Sequence, residues 1–262
     1  MAVLADMPYI YDGQSWAARP LAPELQLGEG ETQVVEIFFG RDNHPRLMGT
    51  RIAADGSTSA VYLRHRPSGW RKEPSELGPL ATAGSLYGVL GYADPEVVCA
   101  PGRFCLVKRV TGWARTSADA APRRIFMTRV GPYKQVDGQL WQLVDDDWRK
   151  VLALAFEVVA LCSAQDGKLW FVGDQPPGVF FVPKDKTEAI AFEQPVDHPS
   201  SLHCAPDGSV WIGGRTVALH RDDGIERLPG DVEDVSVIAG NSANEVWVGS
   251  ANGLFVFRRD GR

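Results

Sequence analysis

The chain has little of what would take it into a membrane or onto a nucleic acid. No apolar run in its 262 residues approaches the roughly 20 residues a membrane-spanning helix needs. The start, Met1-Ala2-Val3-Leu4-Ala5-Asp6-Met7-Pro8, has neither a basic segment nor a sustained apolar stretch, so it does not read as a secretory leader. Positive charge is in deficit: 27 Lys and Arg against 33 Asp and Glu give a formal net charge of −6. Such a surface exerts no overall pull on nucleic acid or anionic lipid. The basic pairs Arg123-Arg124 and Arg258-Arg259 read as solvated strand ends rather than phosphate contacts. Long helical periodicity is missing too. The stretch 151–159 (VLALAFEVV) is short for a helix and fits an outer strand, a loop and an inner strand equally well.

Cysteine is sparse, with four residues. The absent leader and membrane span make the cytoplasm the expected compartment, and there the thiols are expected to be reduced and structural; the protein is expected to be monomeric. Cys99 and Cys105 flank a turn and are the one pair expected to face each other across a hairpin, where a disulfide is the main exception. Cys162 and Cys204 hold near-equivalent places before Asp-Gly turns, which puts them on neighbouring inner strands.

What the chain has is turns and a repeat. There are 27 Gly and 18 Pro, and Asp-Gly recurs at 12–13, 55–56, 137–138, 166–167, 207–208 and 223–224 between short runs of Val, Phe, Trp and Leu. Glycine tolerates the positive φ of tight hairpin turns, so this is the punctuation of β-strands. The pieces DGKLWFVG (166–173), DGSVWIGG (207–214) and NEVWVGS (244–250) share one pattern, with Trp170, Trp211 and Trp247 spaced 41 and 36 residues apart. That step is close to the length of one four-stranded propeller blade.

An apolar run followed by an outer strand extends the frame backwards. Val61-Tyr62-Leu63 precedes Gly69-Trp70, Phe104-Cys105-Leu106 precedes Gly112-Trp113, and Leu140-Trp141-Gln142 precedes Asp147-Trp148. The later members are Val179-Phe180-Phe181 before Lys186-Thr187, Val217-Ala218-Leu219 before Gly224-Ile225, and Leu254-Phe255-Val256 before Gly261-Arg262. The fold class this predicts is all-β: a single six-bladed β-propeller of four-stranded antiparallel blades at about 34–74, 85–117, 123–153, 157–193, 200–229, and 234–262 plus 8–21. Residues 14–21 are expected to close the ring by supplying the outer strand the last blade lacks, which would protect the sheet edges. Tyr9-Ile10-Tyr11 does not fit that scheme, because it duplicates a strand that residues 254–257 already fill.

Candidate chemistry is thin. Asp197-His198 and His203-Cys204 contain zinc-ligand types, but His203 and Cys204 are adjacent on a strand and point to opposite faces, so no metal is expected. Asp145-Asp146-Asp147 lacks the alternating oxygen frame and glycine of a calcium loop and reads as a hairpin turn. No Ser or Cys stands in a nucleophile motif. Gly213-Gly214 follows a strand and precedes another strand, whereas a phosphate cradle opens a helix. The repeated Trp residues read as packing between blades rather than as sugar platforms. No cofactor is expected.

The series Asp-Gly-x-x-Trp-x-Gly, followed by runs such as GVFFVPKDK, TVALHRDDG and GLFVFRRDG, resembles bacterial propeller repeats. It is similar to the propellers of two-component-regulator sensors and, less strongly, to those of streptogramin lyases. The likeness is good over 157–262 and loose over 34–153. It implies a blade, not an activity. In the sensors such blades are periplasmic recognition modules attached to a membrane span and a kinase, and this chain displays neither. The lyases use a catalytic His and Glu late in the ring, and no residue here matches them.

The expectation is therefore a non-catalytic binding module for a protein partner. The alternatives are a carbohydrate-binding lectin and a lyase or hydrolase with a site at the channel mouth. The loops between second and third strands and those between blades vary in length and charge, and variation on a repeated scaffold is where specificity resides. Asp174, Gln175, Pro176, Asp197, His198, Arg215 and Asn252 are the expected partner-binding residues, with Pro176-Pro177 stiffening its loop.

Overall fold

A computed structural model describes residues 2–4, 7–11, 14–18, 30–39, 45–72, 87–89, 97–100, 104–109, 112–115, 125–145, 147–184, 186–193, 196–221, 224–228, 232–240 and 245–258. Every regular element among them is a β-strand. The strands form seven sheets, in each of which neighbours in the chain are neighbours in the sheet. The first holds β1 (Ala2–Leu4), β2 (Met7–Tyr11) and β3 (Trp16–Ala18). The second holds β4 (Gly30–Phe39), β5 (Pro45–Ala53), β6 (Thr58–Arg66) and β7 (Gly69–Lys72). The third holds β8 (Tyr87–Val89), β9 (Val97–Ala100), β10 (Phe104–Arg109) and β11 (Gly112–Arg115). The fourth holds β12 (Ile125–Thr128), β13 (Gly131–Val136), β14 (Gln139–Val144) and β15 (Asp147–Ala153). The fifth holds β16 (Val158–Ser163), β17 (Leu169–Gly173), β18 (Gly178–Val182) and β19 (Ile190–Ala191). The sixth holds β20 (Ser201–Cys204), β21 (Val210–Gly213), β22 (Val217–Arg221) and β23 (Gly224–Arg227). The seventh holds β24 (Val235–Gly240), β25 (Glu245–Ser250) and β26 (Gly253–Arg258).

The chain divides into two compact units. One comprises Met1–Met127, Gly131–Val136 and Gln142–Arg149; the other comprises Thr128–Val130, Asp137–Trp141 and Lys150–Arg262.

The N-terminal segment departs from the expected closure. β3 pairs with β2, with Trp16 opposite Tyr11, and β26 pairs with β25. β1, β2 and β3 thus form a sheet of their own, and the described sheets number seven where the repeat predicts six blades. The duplicated run Tyr9-Ile10-Tyr11 is the reason: it is itself a strand, and its outer strand follows within a few residues. Closing so short a loop costs far less entropy than joining the two ends of the chain. Residues 19–21 and 259 of the expected pairing lie outside the described residues, as do Asp12-Gly13, Arg123-Arg124, Asp146, Asp223 and Gly261-Arg262.

One turn chemistry recurs with sequence Ala-x-Asp-Gly-[Ser/Lys]. At 53–57, 164–168 and 205–209 the alanine N–H donates to the carbonyl of the last residue, at 2.8, 2.9 and 2.9 Å. The aspartate Oδ1 accepts the N–H two residues on, from Ser57 at 2.9 Å, Lys168 at 3.0 Å and Ser209 at 3.0 Å. This local bond mimics a backbone turn, and the glycine takes φ of 80°, 84° and 88°. At Asp166 burial alone would raise the carboxyl pKa, but the side-chain and backbone hydrogen bonds of Lys168 and its charge bring it below the usual value. The turns differ in place. The one at 53–57 joins second and third strands of its sheet, and the other two join first and second.

Packing explains the Trp series in part. Trp170, 3 % exposed, lies in an apolar cluster with Leu202, Val210, Ile212 and Ala218 of the sixth sheet. Trp211, 4 % exposed, lies with Val235, Ile238, Val246 and Val248 of the seventh. Each is covered by the sheet that follows it in sequence. Trp247 lies in the last of the described sheets and is only half-buried, with its Nε1–H on Glu245 Oε1 at 3.1 Å. In the fourth sheet Lys134 is 4 % exposed, with its ammonium 4.6 Å from the centre of the Trp148 ring, a cation–π contact. Burial of the neighbouring Tyr133 raises its phenol pKa to about 12.

The expectation of reduced thiols is overturned. Cys162 on β16 and Cys204 on β20 form a disulfide with Cα atoms 5.7 Å apart. Their expected placement on adjacent first strands is what allows it: β16 and β20 adjoin, within the reach of a disulfide. Cys105 is disulfide-bonded as well, and Cys99 stands opposite it in the ladder between β9 and β10.

Candidate functional site

In an antiparallel meander the loop from second to third strand and the loop leading into the first strand fall at the same end of the sheet. In the fifth, sixth and seventh sheets one backbone bond ties these loops together. The Asp174 N–H donates to Glu157 O at 3.0 Å, Arg215 N–H to Asp197 O at 2.9 Å, and Ala251 N–H to Glu233 O at 3.1 Å. In each case the donor follows the second strand and the acceptor precedes the first. The Asp-Gly turns at 166–167 and 207–208 lie at the opposite ends of their sheets.

Between the sixth and seventh sheets the rim is continuous. Val235 N–H donates to Gly214 O at 2.7 Å, and Asp234 N–H to Arg215 O at 3.3 Å. Ser200 Oγ–H reaches both Gly213 O, at 3.2 Å, and Val235 O. These approaches require the Gly213-Gly214 pair. A Cβ on Gly214 would sit 2.3 Å from Asp197 O, and one on Gly213 2.5 Å from Val235 Cγ1. The two glycines are there so that one loop can press against the next.

The structure places all the expected partner-binding residues at this end of their sheets, and all are exposed. It brings Asp197, His198 and Arg215 together. Arg215 Nη1 lies 3.5 Å from Asp197 Oδ2, and His198 Nε2 lies 3.7 Å from Asp197 Oδ1. With side chains 55–69 % exposed, these contacts are solvent-screened and contribute little stability. Asn252 organises its own turn: its Oδ1 accepts from Glu233 N at 3.2 Å and from Ser250 Oγ at 2.7 Å. Asp174, Gln175 and Pro176 form the β17–β18 loop, apart from the Asp197 cluster in sequence and joined to Glu157 by the bond above.

The zinc-type residues are separated. His198 is exposed on the rim, and the Cys204 sulfur is committed to a disulfide. His203 lies against Gly240, where a Cβ would meet its Nε2 at 3.1 Å. Burial lowers the His203 pKa, the Arg129 charge lowers it further, and Asp207 opposes them. Among the described residues no group of three or more His, Cys, Asp or Glu converges to hold a metal ion. Asp145 pairs with Arg149 at 3.2 Å across an exposed turn.

Sequence reasoning missed Ser200, Glu157 and Glu233. The glutamates act through their backbone carbonyls, which leave no side-chain signal. Ser200 could have been found from its place just before a first strand, facing the Gly-Gly pair.

No family model matches the sequence, and no curated protein matches it. Solved structures do. A structure of YCF48 bound to D1 peptide matches with a TM-score of 0.63 at 15% identity, over 89% of this chain and 80% of that one. A virginiamycin B lyase from Staphylococcus aureus matches with a TM-score of 0.64 at 12% identity, over 96% and 87%. The WD40 β-propeller domain of Doa1 matches with a TM-score of 0.62 at 13% identity, over 95% and 84%. At such identities the likeness is one of fold, and the fold is a β-propeller.

Proposed function

We propose that this propeller is a non-catalytic binding module that recognises a protein partner through the loops tied together at one end of its sheets. The observation that carries the reading is the repeated backbone bond at Asp174, Arg215 and Ala251. It fixes the loop backbones in the same way in three sheets while the exposed side chains differ: Asp174-Gln175-Pro176 in one, Arg215 in the next, Asn252 in the third. A rigid frame with varied side chains suits specific recognition, because little ordering entropy is lost on binding. The peptide complex of YCF48 supports the reading by analogy of fold, and analogy of fold alone does not carry function. Kinship to sensor propellers is the finer part of this proposal.

The test is capture of a partner from the source extract by immobilised full-length protein, beside Asp174→Lys, Asp197→Lys and Arg215→Glu. The reading expects capture to weaken in the variants at unchanged melting temperature. Undiminished capture by all three would refute it. The fold shared with a lyase keeps one second reading, an enzyme with its site at the channel mouth. Turnover that survives loss of partner capture would favour it.

A further inference from the structure

We propose that this protein is built for an oxidising compartment, where the Cys162–Cys204 disulfide locks its fifth and sixth sheets together. Four cysteines occur in the sequence. The three with described side chains, Cys105, Cys162 and Cys204, are all disulfide-bonded. Cytosolic thiols are kept reduced by glutathione and thioredoxin, so a chain with its cysteines committed to structural bonds belongs outside that pool. This proposal runs against the cytoplasmic placement expected from the missing leader, and it is independent of what the propeller binds.

The geometry says what the bond does. Cys162 and Cys204 sit on β16 and β20, the first strands of adjacent sheets, 42 residues apart in sequence. The covalent loop encloses β17, β18 and β19, and hence the rest of the fifth sheet. Both residues belong to the apolar cluster joining the two sheets, and both are over 90 % buried, at 9 % and 8 % exposure. A bond in that position holds the two sheets in contact even when the cluster loosens.

Formation is a two-electron oxidation. The thiolate of one cysteine attacks a sulfur of an external disulfide, such as glutathione disulfide or an oxidoreductase disulfide, and releases one thiolate. The second cysteine, after losing its proton, attacks the mixed disulfide and releases the other thiolate. The external disulfide is reduced to two thiols, and the protein loses two protons and two electrons. Because the finished bond is buried, reductant reaches it only when the two sheets part.

The test has two arms. In the first, the full-length chain is refolded with a glutathione/glutathione disulfide couple, alkylated, digested and mapped. The expected result is a cross-linked peptide pair containing Cys162 and Cys204, with a melting temperature about 8–16 °C above that of the Cys162→Ala/Cys204→Ala variant. Alkylated Cys162 and Cys204 in the refolded protein, or equal melting temperatures, would overturn the lock. In the second, cells of the source are quenched in acid and alkylated before lysis. The expected result is protein bearing the bond; protein with both thiols alkylated would overturn the compartment.

Discussion

Truncating the repeated Trp residues one at a time separates packing from ligand contact. Trp211 is 4 % exposed and Trp170 is 3 % exposed, each enclosed by the sheet that follows it. A buried Trp removes roughly 150–250 Å² from water, which at about 25 cal/mol per Å² is an upper bound of about 4–6 kcal/mol. Alanine retains a small part of that burial, and the cavity left behind adds a cost, so Trp170→Ala and Trp211→Ala should each cost about 3–5 kcal/mol. At about 2–4 °C per kcal/mol, the melting temperature should fall by roughly 6–20 °C. Trp247 is half-buried and keeps a hydrogen bond to Glu245, so its truncation should cost only about 1–2 kcal/mol. Urea and thermal unfolding of the three variants measure the difference. A Trp247→Ala cost equal to that of Trp211→Ala, or losses below about 2 °C throughout, would refute the packing argument.

Gly214→Ala should lower the melting temperature by several degrees and weaken partner capture together, since its Cβ would meet Asp197 O at 2.3 Å and push the two loops apart. Ala at Gly208, where nothing lies within 4 Å of the added Cβ, should leave capture intact and cost only the strain of its φ of +88°. Stability should also fall on acidification through the His203 titration. Its folded pKa is depressed below 6.5, so the unfolded chain binds the extra proton first, and the stabilising contribution is present above 6.5 and lost below it. Melting curves of wild type and His203→Gln across pH 5 to 8 check this; a wild-type curve no steeper than that of the variant would contradict it.

The strands were legible because their chemistry is local. Asp55, Asp166 and Asp207 each build a turn within five residues, and β22 carries its apolar run before β23 at Gly224 as expected, whereas the outer strand after β18 is Ile190–Ala191 and not Lys186-Thr187. What the chain ends do was not legible, because Tyr9-Ile10-Tyr11 and residues 254–257 carry equivalent patterns, and nothing local ranks a short hairpin against a pairing across the whole chain. The thiols misled for a related reason. The repeat places Cys162 and Cys204 on adjacent first strands, whereas a missing leader carries no information on how near two thiols lie. The rim residues were visible as variable side chains. The bonds that align them run through the backbone of Glu157, Asp197 and Glu233, where side-chain identity carries no signal.

The measurement that bears most directly on the binding face is site-specific photo-crosslinking in the source extract, with a benzoyl-phenylalanine placed in turn at Gln175, Asn252, Asp166 and Asp207. Gln175 and Asn252 lie on the tied loops, and Asp166 and Asp207 on the turns at the opposite ends of their sheets. One discrete protein adduct shared by the first two positions and absent from the last two is the predicted result. Adducts from Asp166 or Asp207, with none from Gln175 or Asn252, would contradict the account.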